Sequence, residues 1–206
     1  MSSPPIRSGA EKAYIEILTE QPVPTPTYGS GGSFTIACST RIAAPPSTVF
    51  DIVIDASKYS TWNQFCPKCT IDHQPDFDDN DNDNEKKLKQ GTKFTFDVVL
   101  DPKSGSARPT ALIVNVLEPI EYEGGKRKGW RITWGPRPSF FMPEWLLRSE
   151  RVQEFIEIPG SNDTEYLCWE TFYGPLAPVV RMTVGNQVQN GFRLGMEGLK
   201  KRAEEK

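Results

Sequence analysis

The chain has 206 residues, of which 37% are hydrophobic and 25% are charged, and this is enough for one domain with a sizeable core. Its formal net charge is -3, so there is no basic excess to neutralise phosphates, and nucleic-acid binding is not expected. The mean hydropathy is -0.50 and no apolar run approaches the roughly 20 residues that span a bilayer, which argues against stable membrane insertion.

The N-terminus and the cysteines predict a cytoplasmic protein. Residues 1–14 contain no apolar core of the kind found in secretory signals. Four cysteines in a chain of this length do not suggest a disulfide scaffold, so a reducing compartment is the default.

The first 33 residues are predicted to form a flexible extension. Several prolines interrupt this stretch, and Gly29–Ser33 is a run of glycine and serine typical of a joint. Within it, Tyr14–Leu18 could dock as an extra strand or turn. The ordered domain is therefore expected to span residues 34–206.

Regular structure is predicted to begin at Phe34. The segment Phe34–Ile42 alternates and is rich in β-branched residues, which predicts a strand, and two prolines then end it. Ser47 is placed to cap a short helix over Thr48–Ile54, and a further helical turn is predicted over Ser57–Trp62.

The middle of the chain is predicted to be an antiparallel sheet. Its segments alternate or are largely apolar, and their connections are short and rich in Gly, Pro and Asp, which suits antiparallel neighbours. The predicted strands cover Cys69–His73, Thr92–Leu100, Thr110–Leu117, Gly129–Trp134, Leu147–Ile158 and Thr164–Tyr173.

One connection has a different composition. Residues 76–90 are polar and low in complexity, which predicts a disordered, acidic surface loop. Asp79, Asp81 and Asp83 stand at alternate positions, as in a calcium-binding loop, but the glycine at the sixth position and the glutamate at the twelfth are missing. A solvated loop is therefore favoured over a calcium site.

The last predicted element is one long amphipathic helix, over residues 176–205. Glycines in its interior should each cost about 1 kcal/mol relative to alanine. Gly191, Gly195 and Gly198 share one face, so they either let the helix pack closely against the sheet or leave space for a ligand, and both can hold along one helix. The apolar positions recur at spacings of three or four: Val180, Val184, Val188, Phe192, Met196 and Leu199.

Four segments and the order of the elements carry a resemblance to a known superfamily. The segments are Ile42–Asp51, Tyr59–Asn63, Gly91–Phe94 and Trp169–Pro178. They resemble the helix-grip fold of the SRPBCC superfamily, which includes START lipid-transfer domains, the birch-pollen allergen family, polyketide cyclase/dehydratases and coenzyme Q-binding proteins, and most resemble uncharacterised fungal members. The resemblance covers residues 34–205 and implies an α+β domain whose curved antiparallel sheet wraps around the C-terminal helix. It implies no shared catalytic motif, because this fold hosts transport, sensing and catalysis alike.

A sheet that grips one helix leaves an interior space lined by apolar side chains. For the last strand, the resemblance favours Tyr166, Cys168, Glu170 and Phe172 pointing inward. Alternation assigns to the concave face Phe94, Phe96, Val98, Leu112, Val114, Val116, Trp130, Ile132 and Trp134. The predicted ligand-binding residues are Trp62, Phe94, Phe96, Val98, Val114, Trp130, Trp134, Phe141, Trp145, Cys168, Phe172, Val188, Gly191, Phe192 and Gly195. For each aromatic side chain, plain core packing is the alternative.

The connection over residues 135–145 is unusually apolar. It contains Phe140, Phe141, Met142 and Trp145, although a connection between strands should be polar. Such a loop is expected to fold over the mouth of a pocket as a lid. Satellite core packing and transient membrane contact are the alternatives.

The sequence offers little for metal or cofactor chemistry. The one histidine, His73, is predicted to be an exposed surface group. Cys66 and Cys69 form a lone CxxC motif, whereas a structural zinc site normally needs four ligands. We therefore predict no metal and no cofactor.

Glu170 is the predicted catalytic residue if the protein is an enzyme. A carboxylate among aromatic side chains loses hydration, which raises its pKa toward values useful in general acid/base catalysis. Arg131, Arg151 or Asp97 could assist. The alternative is that Glu170 pairs with an arginine on the outer face of the sheet.

The leading hypothesis is a monomeric or homodimeric binding module for a hydrophobic small molecule such as a lipid, polyketide or isoprenoid. A polyketide cyclase or dehydratase that uses a carboxylate in the cavity is the second hypothesis. A domain that docks a protein partner on the segment from Phe140 to Trp145 is the third.

Overall fold

The computed structural model describes residues 13–75, 86–101, 105–140 and 142–205. Within these residues, eight antiparallel strands form one sheet in the order β1-β2-β8-β7-β6-β5-β4-β3. The strands are β1 (Tyr14–Leu18), β2 (Phe34–Ile42), β3 (Lys68–His73), β4 (Lys93–Val98), β5 (Arg108–Tyr122), β6 (Arg127–Pro136), β7 (Arg148–Glu157) and β8 (Thr164–Tyr173). The helices are α1 (Pro46–Ile54) and α2 (Ala177–Glu204), and a 3-10 turn (Ala56–Thr61) follows α1.

The main hydrophobic core lies between the concave face of the sheet and the helices. Alternate residues of β8, among them Cys168 and Phe172, point into this core, whereas Leu167 and Trp169 belong to a second cluster on the convex face. The predicted α+β helix-grip fold is therefore confirmed, as is the inward face that the resemblance favoured for β8.

A bulge in β5 changes which side chains reach the core. Val114 lies opposite Trp134, but Val116 lies opposite Thr133, because Asn115 is an extra residue in the register. The assignment of Val116 to the concave face is therefore wrong. Leu117 takes its place and packs against the core.

The segment from residue 20 to residue 33, here called the N-terminal strap, crosses the convex face. The backbone N–H of Val23 donates to Thr35 Oγ1 at 2.8 Å, Thr171 Oγ1 donates to the carbonyl of Val23 at 2.6 Å, and Tyr173 donates to the carbonyl of Gly29 at 2.8 Å. The strap covers a convex cluster made of Val23, Ala37, Ile120, Tyr122, Val152, Ile156, Leu167 and Trp169.

Strand β1 also attaches the N-terminal region to the sheet, because Tyr14–Leu18 pairs with β2. Residues 14–33 thus belong to the folded domain, in contrast to the flexible extension expected over residues 1–33. Residues 1–12 lie outside the described part of the chain.

Two local expectations differ from the structure. Helix α1 begins at Pro46 with Pro45 as its N-cap, so Ser47 does not cap it; a proline suits the first helical turn because it has no N–H to leave unpaired. Leu88 is buried, and its N–H donates to the carbonyl of Ile54 at 2.8 Å, so residues 86–90 are not a disordered loop. Residues 76–85, including the calcium-like aspartates, lie outside the described residues.

Two glycines of α2 are explained by close packing against the segment that follows the 3-10 turn. A Cβ built on Gly191 would lie 2.3 Å from the ring of Phe65, and one on Gly198 would lie 2.0 Å from the carbonyl oxygen of Trp62. A Cβ on Gly195 would meet nothing closer than Asn63 Oδ1 at 3.8 Å. Close packing therefore explains Gly191 and Gly198, although the partner is residues 62–65 and not the sheet, whereas a methyl group at Gly195 would make only an ordinary van der Waals contact.

Candidate functional site

A cavity of about 670 Å³, here called the main cavity, lies between the concave face and α2. Strands β4 to β8 supply most of its wall, and the loop that follows β6 supplies much of the rest. The predicted ligand-binding residues that line it are Phe96, Val98, Trp134, Phe172 and Val188. The wall is largely apolar, as in sites that bind small hydrophobic molecules.

Several polar side chains interrupt this apolar wall, and three of them form one linked group. The guanidinium of Arg151 pairs with Glu170 Oε2 at 3.2 Å, and Ser149 Oγ donates to Glu170 Oε1 at 2.8 Å. All three residues line the main cavity. Burial lowers the pKa of Arg151, but Glu170 and the nearby Cys168, Cys66 and Tyr166 together raise it by more, so the pKa lies above its ordinary value and the guanidinium stays charged.

The guanidinium of Arg151 also lies over two aromatic rings. Its Cζ is 4.0 Å from the ring centroid of Phe192 and 5.7 Å from that of Phe65. Cation–π contacts of this kind hold an arginine in one orientation. The ion pair is thus fixed from both the sheet and the helix.

The two hypotheses for Glu170 each describe part of what is observed. Glu170 points into the cavity, as the first predicted, and it pairs with an arginine, as the second predicted, but that arginine is Arg151 on the concave face. Arg131 lies on the convex face and pairs with Glu154 at 2.6 Å. Asp97 alternates with cavity residues and therefore points away from them. Of the possible assistants, only Arg151 lines the main cavity.

A second, much smaller space of about 20 Å³, here called the deep pocket, lies further under α2. Four side chains line both spaces, namely Phe65, Phe96, Trp134 and Arg151. The predicted ligand-binding residues that line the deep pocket include Trp62, Cys168, Gly191, Phe192 and Gly195. The main cavity and the deep pocket therefore share a wall.

Several predicted ligand-binding residues lie elsewhere. Phe94 and Val114 are buried in the core, and Phe94 packs edge-on against Trp134. Trp130 is on the predicted face, but it stacks on Phe50 and borders a separate surface depression of about 560 Å³. Phe141 lies outside the described residues.

The loop over residues 137–145 borders the main cavity without covering it. Arg137, Pro138 and Met142 contribute to its wall. Phe140 and Trp145 are 94% and 70% exposed, so satellite core packing is wrong for these two side chains, and Trp145 does not line the cavity. Closure of the loop as a lid stays a prediction.

The cysteines and the histidine take no part in the cavity's polar group. Burial raises the pKa of the Cys66 thiol to about 12, which keeps it protonated at neutral pH. His73 is exposed at the end of β3. Among the described residues, no three His, Cys, Asp or Glu side chains are placed to hold a metal ion.

Sequence reasoning missed several residues of the cavity wall. Tyr28 lines the main cavity from the strap, which was expected to be flexible. Phe65 lies in a segment without periodicity between the 3-10 turn and β3. Ser149 was within reach, because alternation along β7 places it on the same face as Arg151, which the sequence already offers as a possible assistant.

Comparisons with known proteins agree with this architecture. No family model matches the chain. The chain is 34% identical over 169 residues to "Oxopyrrolidines biosynthesis cluster protein O" of Penicillium oxalicum, and the match covers 78% of this chain and 81% of the relative. No helix among the described residues has the length and apolar character needed to cross a membrane.

Two solved structures show the same fold. A START superfamily protein from Mycobacterium smegmatis matches with a TM-score of 0.55 and 16% identity, over 82% of this chain and 97% of that chain. The Zhui aromatase/cyclase from Streptomyces sp. R1128 matches with a TM-score of 0.57 and 10% identity, over 82% of this chain and 93% of that chain.

The strand order and the long C-terminal helix give the chain a helix-grip fold, the fold of the START superfamily protein and of the aromatase/cyclase. The sequence match is more specific, and it shows that the chain belongs to the family of the oxopyrrolidines biosynthesis cluster protein O.

Proposed function

We propose that this protein binds a hydrophobic small molecule of lipid, polyketide or isoprenoid type in the main cavity. The observation that carries the proposal is the cavity of about 670 Å³. Its volume lies within the range of about 300–1,000 Å³ typical of small-molecule sites, and its walls are apolar apart from a few polar groups. The relative's name supports a ligand that belongs to small-molecule biosynthesis.

The ligand's apolar body would lie against Val98, Phe172 and Val188, and a polar substituent would lie near the Arg151–Glu170 pair. Burying apolar surface supplies the affinity, at about 25 cal/mol per Å² before the costs of binding. The polar group supplies orientation, because an unpaired ligand polar atom would be costly in this interior.

Binding can be tested with the fluorescent probe 1-anilinonaphthalene-8-sulfonate and one cavity-filling variant. Val188→Phe places a larger side chain in the main cavity and should weaken probe binding roughly tenfold, since overpacking a site costs about 1–3 kcal/mol. Val179→Phe is the matched control, because Val179 is on the same helix but 52% exposed. Equal probe affinities in both variants would contradict binding in the main cavity.

Native mass spectrometry of protein purified from its own host gives an independent test. A retained molecule of defined mass, lost in Val188→Phe and kept in Val179→Phe, is the expected result. The mass would also identify the chemical class of the ligand.

The second candidate function is cyclisation of a polyketide-type substrate. The specific observation is that Glu170 lies in the cavity beside the cationic Arg151. The Glu170 carboxylate would accept a proton from the carbon between two carbonyl groups, and the electron pair of that C–H bond would form an enolate. Arg151 would stabilise the negative oxygen.

The remaining steps need no other reactant. The enolate carbon attacks a second carbonyl carbon of the same chain, a C–C bond forms, and the resulting alkoxide takes the proton back from Glu170. Loss of water follows when Glu170 removes a second proton from the same carbon and delivers it to the departing hydroxyl.

Glu170→Gln separates binding from catalysis. An enzyme should lose 10²-fold or more of its turnover of a poly-β-ketone thioester, because general acid/base catalysis contributes about that much. Glu197→Gln, an exposed substitution on α2, is the control. Unchanged turnover in Glu170→Gln would remove the catalytic role, and absence of turnover in the unmodified protein would leave binding as the function.

A further inference from the structure

The deep pocket contains two hydrogen-bond donors that have no partner. Trp62 Nε1 and Gln153 Nε2 are buried without a hydrogen-bond acceptor, and their residues are 7% and 5% exposed. Both residues line the same space of about 20 Å³. Buried donors are rarely left unpaired, because losing their hydration without replacement costs free energy.

The two side-chain amide oxygens that line the deep pocket already accept hydrogen bonds. Gln153 Oε1 accepts from the hydroxyl of Tyr166 at 2.7 Å, which fixes the amide with its NH₂ group as the unpaired end. Asn63 Oδ1 accepts the backbone N–H groups of Phe65 and Cys66 at 3.1 and 2.9 Å. Neither amide oxygen is paired with Trp62 Nε1 or Gln153 Nε2, so these two donors are left for an acceptor that a ligand could supply.

The size and charge of the deep pocket restrict what this acceptor can be. A space of about 20 Å³ accommodates one oxygen atom but not a carboxylate or a phosphate. The one cationic side chain in its wall, Arg151, is already neutralised by Glu170. A neutral oxygen that accepts two hydrogen bonds fits these conditions.

We infer that the deep pocket is the subsite for a carbonyl oxygen of the ligand, held by the N–H of Trp62 and the amide of Gln153. This inference rests on the proposed binding function. Phe65, Phe96, Trp134 and Arg151 line both spaces, so the two spaces are adjacent, and the carbonyl end of a ligand in the main cavity would reach the deep pocket past these side chains. The ligand would thus bind with its carbonyl innermost and its apolar body toward the loop over residues 137–145.

A matched pair of probes tests the inference. 2-Acetylnaphthalene carries a carbonyl, and 2-isopropenylnaphthalene has nearly the same shape without an oxygen. The protein should bind the ketone about tenfold more tightly, as expected for an acceptor that satisfies buried donors. In Trp62→Phe and in Gln153→Met, the ratio of the two affinities should fall toward one.

Gly195→Ala tests the same subsite by reducing the volume of the deep pocket. Its new methyl group would meet nothing closer than 3.8 Å, so the helix keeps its packing while the deep pocket becomes smaller. The ketone preference should fall in this variant. Gly185→Ala is the matched control, because Gly185 is on the same helix and does not line the pocket, and it should keep the preference of the unmodified protein.

The outcomes separate this inference from the proposed function. Binding of both probes with equal affinity would overturn the carbonyl subsite and leave the main cavity as a binding site. Binding of neither probe would overturn both. A crystal structure of the ketone complex with a water on Trp62 Nε1 and Gln153 Nε2, and the ketone elsewhere, would also overturn the subsite.

Discussion

At the scale of single residues, the carboxylates on the two faces of the sheet differ in their hydrogen-bond partners. On the convex face, the carboxylate of Glu150 accepts hydrogen bonds from Thr27, Asn115 and Thr133. In the cavity, by contrast, Glu170 depends on Ser149 and a single arginine. The convex carboxylate is thus fully satisfied within the protein, whereas the cavity pair faces a space that a ligand could enter.

Arg151→Met should destabilise the protein by about 3 kcal/mol, since breaking a buried pair leaves an uncompensated charge on Glu170. The double variant Arg151→Met with Glu170→Gln should recover a large part of this loss, because no charge then remains unpaired. Urea unfolding of the three proteins measures the effect. A double variant no more stable than Arg151→Met alone would contradict the argument.

The raised pKa of the buried Cys66 thiol should make the protein less stable in alkaline solution. Its pKa is raised by burial to about 12 in the folded state, from 9.0. Above pH 9 the unfolded chain gains stability by ionising its thiol while the folded protein does not, so the free energy of unfolding should fall as the pH rises from 9 to 12.

The measurement is urea unfolding at several pH values, with Cys66→Ala as the comparison. The variant should show a shallower decline, since Cys69, Tyr59 and Tyr122 also have raised pKa values and remain. A decline of equal steepness in both proteins would exclude Cys66 as a contributor.

At the scale of the element, the glycines of α2 show how a helix can be shaped by its neighbours. Because glycine has no side chain, Gly198 leaves room for the carbonyl of Trp62, and Gly191 leaves room for the ring of Phe65. Both contacts are made with the segment over residues 62–65, which supplies part of the wall of the deep pocket. Glycine's low helical propensity costs the helix stability, and tertiary packing offsets that cost.

Gly198→Ala and Gly185→Ala should have opposite effects on stability. The first places a methyl group 2.0 Å from a backbone oxygen that cannot easily move, and should destabilise by about 1–3 kcal/mol. The second meets only Arg181 Cγ at 3.7 Å and should stabilise by up to about 1 kcal/mol through helix propensity. Thermal unfolding of both variants tests the difference, and equal shifts in the same direction would refute it.

The helices and strands could be predicted where the local sequence pattern alone determines the backbone structure. β2 and β8 have the bounds that alternation predicted, and α2 differs by only one residue at each end. The bulge at Asn115 could not be read from sequence, because Val114 and Val116 alternate normally and only pairing with β6 reveals the extra residue. The strap was missed for a similar reason, since its hydrogen bonds go to side chains more than a hundred residues away.

The candidate site, like the fold, could be predicted from the sequence only in part. The inward face of β8, and with it Glu170, could be predicted because the resemblance fixed the direction of alternation. The pairing of Glu170 with Arg151 could not be predicted. The register between β7 and β8 places these two residues opposite each other, and no local signal in the sequence gives that register.

At the scale of the whole molecule, the sheet separates two interiors. One is the core that contains the cavity, and the other is the convex cluster under the strap. The first is incomplete, since a space of about 670 Å³ remains. The second is covered by the strap, whose hydrogen bonds reach β2 and β8, and it can therefore compensate for the stability that an unfilled cavity forfeits.

Deletion of residues 1–33 should therefore lower the urea midpoint markedly, because it exposes Leu167 and Trp169 and removes the hydrogen bonds of Thr27 to Glu150. Thr27→Val isolates the hydrogen-bond part of this effect and should cost about 1–3 kcal/mol. Thr70→Val, an exposed substitution on β3, is the control. A truncated chain as stable as the full chain would show that the strap is dispensable.

The pairing of β2 with β8 joins Ile42 to Thr164. During synthesis, β2 leaves the ribosome long before its partner exists, so β1 and β2 must wait with their edges unpaired while more than a hundred further residues are translated. Closing so large a loop slows folding and exposes apolar strands to other chains. Maturation of this domain should thus be post-translational, and nascent chains that stop before β8 should be captured by chaperones.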